Sequence, residues 1–160
     1  MKSAKNILLI LASVSFIVAL GGGTYEHIAV VPRWSAAPPL SLSMFQGNYG
    51  LNPAMFWRFI HPVTLLFLIS SIILNWKNGR RNGIVIVTAG YFIILVVTFT
   101  YFVPELIKII TTPYANTVDP DLQSRAALWE KLSIGRLLIM ILLAFQLLSC
   151  LTKPTENSNS

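Results

Sequence analysis

The chain is expected to be an all-α membrane protein, a bundle of four transmembrane helices, and three observations predict it. Of its 160 residues 54% are hydrophobic and only 11% charged, well under the quarter that soluble domains carry. Four apolar runs approach or exceed the ~20 residues needed to cross a bilayer. The 12 Lys and Arg against 6 Asp and Glu are scattered between those runs rather than gathered on one face, so they read as topology signals and argue against nucleic acid as a partner. Residues 1–151 are read as a single transmembrane domain, and 152–160 as a polar, disordered tail.

The first span is expected over about 6–31, closed by Pro32. Its start, Lys2 and Lys5 ahead of an apolar run, has the form of a secretory signal, but apolar character resumes at Ile28 to Val31. That favours an uncleaved anchor and one long helix. The glycines Gly21-Gly22-Gly23 follow no strand, which excludes a nucleotide loop and leaves close helix packing or a local unwinding beside a pocket.

The second span is expected over 53–76, with Asn52 as N-cap, Pro53 as first helical residue and Trp76-Lys77-Asn78-Gly79-Arg80-Arg81 at its end. The third is expected over 83–103, stopped by Pro104. Before the fourth, 128–151, the run Asp119-Pro120-Asp121 is a helix start: Asp119 as N-cap, Pro120 as first helical residue and Asp121 at the positive end of the dipole. A helix beginning there outruns the membrane, so its first turns should stand in the interface or in water. The connection from Ser35 to Gly50 is rich in small residues and proline yet carries Leu40, Leu42, Met44 and Phe45, which suits a lid over the bundle mouth or an ordinary loop.

Lys2, Lys5, Lys77, Arg80, Arg81 and Lys153 collect on one side. The positive-inside rule makes that side cytoplasmic, with both termini on it, in a multi-pass protein of the cell membrane. The longer connections then lie outside.

Ionisable residues in or near membrane spans are costly and so mark candidate sites. Glu26 and His27 fall near the outer end of span 1, Arg58 and His61 near the outer start of span 2, Glu105 at the outer end of span 3, and Arg125, Glu130 and Arg136 on span 4. Histidine, with an ordinary pKa near 6.5, is the usual proton-transfer residue. A buried histidine also serves as a plain interhelical hydrogen-bonding group, and both readings stand. Arg58 and His61 share one helix face; Arg125, Trp129, Ser133 and Arg136 form a stripe on another. Two such faces could line one cavity. The arginines could equally pair with Glu26, Glu105 and Glu130, and Trp34, Trp57, Trp76, Tyr101 and Trp129 fit an aromatic belt. Glu26, His27 and His61 match no established metal motif, and the single Cys150 allows neither an intramolecular disulfide nor a cysteine metal site.

Gly21-Gly22-Gly23-Thr24-Tyr25-Glu26-His27-Ile28-Ala29-Val30-Val31-Pro32, the exit Tyr101-Phe102-Val103-Pro104, and Trp129 followed by Arg136 resemble the anthrone oxygenase-like family of small four-helix membrane proteins. The resemblance covers most of the chain through short motifs. It implies a bundle with a pocket near one membrane face and puts Trp129 and Arg136 at the family's tryptophan and arginine positions. Between them this chain has Leu132-Ser133-Ile134, where the family often has an asparagine. Characterised fungal members oxidise anthrones to anthraquinones with molecular oxygen.

By that resemblance His27 or His61 is the expected base, Arg136 or Arg58 the oxyanion partner, and Trp57 and Trp129 the walls for a flat aromatic substrate, with Glu26 and Glu105 beside them. No redox cofactor is required by such chemistry, and none is named by the residues. The alternatives are a non-enzymatic bundle that binds membrane lipid or a lipophilic small molecule, an accessory subunit of a membrane complex, and a transporter, which with four spans would have to form a homo-oligomer.

Overall fold

The computed structural model describes the backbone of residues 2–154 and the side chains of 4–154. It is all helix, with no strand among these residues. The elements are α1 (Lys2–Tyr25), a π turn (Glu26–Val30), α2 (Val31–Ser35), a 3₁₀ turn (Leu40–Phe45), α3 (Ala54–Leu74), α4 (Arg81–Val97), a second π turn (Thr98–Phe102), α5 (Val103–Ile110) and α6 (Pro120–Thr152). They form four helices long and apolar enough to span a membrane: Ala4–Ser35, Ala54–Leu74, Arg81–Ile110 and Pro120–Thr152. The polar tail beyond residue 154 lies outside the described residues.

Successive spans alternate in direction and pack as a ring in which α1 touches α3 and α6, and α4 touches α3 and α6. Such a bundle brings both termini to one end. Large apolar side chains such as Ile7, Phe59, Leu66, Ile86, Ile93, Leu142 and Phe145 face outward. In water that surface would be costly; against lipid tails it is the expected exterior. This is a multi-pass membrane protein by its architecture.

Two prolines behave differently from expectation. Pro32 and Pro104 do not end spans 1 and 3: the first continues to Ser35 and the third to Ile110. A proline inside a helix lacks an N–H and its ring presses on the carbonyl four residues back. Here a π turn precedes each one. The Val31 N–H donates to the Glu26 carbonyl and the Val103 N–H to that of Thr98, so the widened turn makes room and the helix carries on. Asn52 also does not cap span 2, where Pro53 is the N-cap residue without a side-chain bond. Asp119 does cap span 4, accepting from the Asp121 and Leu122 N–H groups.

The interior has three layers. A deep apolar core holds Leu9, Phe16, Leu68, Ile84, Val87, Ile94 and Leu147. A second core at the opposite end from the termini joins Val31, Trp34, Leu42, Phe102, Ile109, Leu122 and Trp129. The loop after span 1 is part of that core: Leu42 is fully buried, and Phe45 packs edge-on against Trp34 at 6.4 Å. Between the two cores spans 1, 3 and 4 bring together Glu26, His27, Thr98, Ser133 and Arg136.

Candidate functional site

The π turn of span 1 puts Glu26 and His27 on diverging paths. Glu26 Oε1 accepts from Trp57 Nε1 at 2.9 Å on span 2, whereas His27 Nε2 lies 2.9 Å from Ser133 Oγ on span 4. An acid and an imidazole adjacent in sequence therefore tie span 1 to two different neighbours. His27 Nδ1 lies 2.7 Å from the Gly23 carbonyl. A carbonyl only accepts, so Nδ1 carries the proton, and in the neutral ring Nε2 takes the Ser133 hydroxyl hydrogen.

Ser133 is shared. Its Oγ also accepts from Arg136 Nη2 at 2.8 Å, while Arg136 Nη1 donates to Thr98 Oγ1 at 2.8 Å. The Thr98 hydroxyl in turn donates to the Ile94 carbonyl at 2.7 Å. The Arg136 guanidinium sits over the Phe102 ring, 4.2 Å from its centroid, a cation–π arrangement that counts for more away from water. A continuous series thus runs from Thr98 through Arg136 and Ser133 to His27. Among the described residues no carboxylate lies within ion-pair distance of Arg136.

On the other side of Glu26, Trp57 stacks on His61, centroids 5.1 Å apart and planes 22° from parallel, and His61 Nδ1 lies 2.7 Å from the Tyr91 hydroxyl. The buried Thr64 hydroxyl nearby has no hydrogen-bond partner. His61 Nε2 has none among the described residues.

The other candidates disperse. Arg58 is exposed and makes no hydrogen bond among the described residues, so it does not share a cavity with His61: the two are on neighbouring but distinct parts of the helix surface, and only His61 turns inward. Glu105 pairs with Arg125 at 2.7 Å near the end of the bundle opposite the termini, away from the polar layer. Trp129 is buried in the second core, its Nε1 donating to the Phe102 carbonyl at 2.9 Å and its ring edge-on to Trp34 and Phe102. It closes the polar layer from above. Glu130 accepts from Ser35.

Thr98 and Tyr91 join the site without having been singled out in the sequence. A threonine bonded to the carbonyl four residues back in its own helix is unremarkable in a span, but Tyr91 lies mid-span, away from the interfaces where an aromatic belt places tyrosine, and that position is a signal. Among the described residues no group of three His, Cys, Asp or Glu comes together.

A groove of about 340 Å³ opens beside Arg136 between spans 3 and 4, lined by Ile93, Val97, Tyr101, Leu132, Gly135 and Ile139. No family model, curated protein or solved structure matches the chain.

Proposed function

We propose that this chain is a membrane oxidoreductase of the anthrone oxygenase type, acting with molecular oxygen on a lipophilic aromatic substrate whose ring C–H is acidic. The observation that carries the reading is the series Arg136, Ser133, His27: a cation and an imidazole nitrogen bridged by one hydroxyl inside a membrane helix bundle. In the reaction, Ser133 relays the substrate proton to His27 Nε2, with His61 as the second candidate base. Arg136 steadies the enolate oxygen that develops as the proton leaves, its N–H groups being already oriented. The carbanion is oxidised by O₂: the CH₂ carbon loses two hydrogens and gains one oxygen atom, and the other oxygen leaves as water. The basic end of the bundle is cytoplasmic by the positive-inside rule, which puts the polar layer in the outer half of a cell membrane.

The test is oxygen uptake by purified protein given an anthrone under air. Wild type should exceed a His27→Ala, His61→Ala double variant by roughly 10²-fold or more, the size of a general-base contribution. Equal rates sink the proposal.

A second reading, a non-enzymatic lipid- or small-molecule-binding bundle or an accessory subunit, is favoured by one observation: Glu26, His27, Trp57, His61, Trp129 and Arg136 each already have a partner within the chain, as a purely structural network would. Native mass spectrometry from detergent separates the two versions, through a retained small molecule or a retained partner chain.

A further inference from the structure

We infer that the loop joining spans 2 and 3 is a binding site for one acidic phospholipid, whose headgroup phosphate is held by Lys77 and Arg81. The inference uses none of the residues of the oxygen chemistry and stands or falls apart from it.

The loop divides its side chains between two jobs. Asn75, Asn78 and Arg80 are buried and fix the backbone. Asn75 Nδ2 donates to the Ser71 carbonyl and Asn78 Nδ2 to Asn75 Oδ1, both at 2.8 Å, while Asn78 Oδ1 accepts from the Arg80 N–H at 3.0 Å. Trp76, Lys77, Gly79, Arg81 and Asn82 are exposed. With Asn78 they line an open hollow of about 620 Å³, within the roughly 300–1,000 Å³ of small-molecule sites and large enough for a phosphate with its glycerol. A loop held rigid from beneath presents its outer groups at little ordering cost.

The cations at the hollow are accessible. The Arg81 guanidinium lies 5.3 Å from the Trp76 ring centroid, and its Nε donates to Asn82 Oδ1 at 3.2 Å. Its Nη1 and Nη2 have no partner among the described residues, and neither has the Lys77 ammonium. Stacking fixes the guanidinium plane and leaves its edge to meet two oxygens of a phosphate. Lys153 Nζ stands 3.9 Å from where a Gly83 Cβ would be, so a third cation lies at the first turn of α4. The acids are elsewhere: Glu26 in the polar layer, and Glu105, Asp119, Asp121 and Glu130 toward the opposite end. Glu156 lies outside the described residues.

Position selects a lipid as the occupant. Span 2 ends at Leu74 and span 3 begins at Arg81, so the loop lies at headgroup level, where an exposed tryptophan belongs. By the positive-inside rule this end meets the leaflet that carries the anionic lipids, to which each surface cation is attracted. A topology signal requires charge alone. A pinned backbone, a hollow and a stacked guanidinium are what a headgroup site adds.

Titrating the full chain in neutral detergent with phosphatidylglycerol and with phosphatidylcholine of the same acyl chains, bound lipid being counted by native mass spectrometry, tests the site. Both lipids carry the phosphate, but choline cancels its charge. Wild type should bind phosphatidylglycerol roughly thirtyfold more tightly, the ratio two surface cations give, and a Lys77→Gln, Arg81→Gln double variant should bring the two lipids level. Arg81→Lys, which keeps the charge but loses the fork and the stack on Trp76, should weaken phosphatidylglycerol about two- to fivefold, the worth of one exposed cation–π pair. A Lys108→Gln, Lys131→Gln variant removes as much charge at the opposite end and should change nothing.

The replaced loop side chains are exposed and Arg80 keeps its bonds, so the double variant should fold; where it loses its size-exclusion peak, Arg81→Lys decides. Equal binding of the two lipids by wild type, a preference that survives the double variant, unchanged affinity in Arg81→Lys, or an equal loss in the opposite-end variant overturns the inference. Displacement of the lipid by excess inorganic phosphate would mark a site for soluble anions and overturns it as well.

Discussion

A hydroxyl donates once and accepts twice, and Ser133 uses that capacity to sit between a donor-only guanidinium and an imidazole nitrogen. No apolar residue of similar size can replace it. Ser133→Ala should leave His27 Nε2 and one Arg136 N–H without partners in a buried setting, lowering stability by about 1–3 kcal/mol, read as a fall in the thermal unfolding midpoint in detergent. As the proposed proton relay, Ser133 also carries the oxygen uptake, and the same variant should lose most of it. An unchanged midpoint would mean that the series does not hold the bundle together. Trp57 makes a comparable link: Trp57→Phe keeps the ring over His61 but frees Glu26, and should cost about 1 kcal/mol, the net worth of a typical hydrogen bond, in the same assay.

At the scale of elements, the helix ends carry most of the specification. Asp119 satisfies two N–H groups at the start of α6, and Asp119→Ala should destabilise by about 1 kcal/mol. The far end of the same helix is held by a residue whose sequence context suggests only a basic anchor. Arg80 is buried, donating to the Lys153 and Leu151 carbonyls at the α6 C-terminus and to Asn6 Oδ1 at the start of span 1. Its own loop is fastened by Asn78, which accepts from the Arg80 N–H and donates to Asn75. One guanidinium thereby clamps three chain segments at the terminal end and satisfies orphan carbonyls with a favourable charge. Arg80→Gln should lose on the order of 3 kcal/mol, from charge-assisted bonds worth about 1.5–3 kcal/mol each in part, seen as unfolding at lower denaturant. Its neighbour Arg81, which is exposed and stacks over Trp76 at 5.3 Å, should tolerate the same change.

For the whole molecule, the two hairpins are built alike. Spans 1 and 3 each carry a π turn followed by Val-Pro, at Val31-Pro32 and Val103-Pro104; spans 2 and 4 each open on an Asn-Pro or Asp-Pro pair, with Arg58 and Arg125 at the same offset beyond it. The likeness stops at the site, where one hairpin supplies Glu26, His27 and His61 and the other Thr98, Ser133 and Arg136. Orientation belongs to this scale too. With Cys150 buried, a cysteine placed at exposed Ser43 should react with an impermeant maleimide on intact cells, and one at exposed Asn82 only after permeabilisation. The reverse pattern would invert the bundle and put the polar layer in the cytoplasmic half.

The number of spans, their approximate places and the Asp119 cap follow from sequence, because apolar runs and cap residues act locally. Sequence also marked Glu26, His27, His61 and Arg136, since charge in an apolar run stands out wherever the run packs. Only the tertiary structure decided which of those marks converge. Arg58 and Arg136 look equivalent as arginines in apolar context, yet one faces outward and the other meets Thr98, Ser133 and Phe102, because a helix face acquires a meaning only when its neighbours are in place. Pro32 and Pro104 read locally as stops, and their helices continue because a widened turn costs less than breaking a packed span. Arg80 depends on chain ends more than seventy residues away in either direction, and no local pattern carries that information.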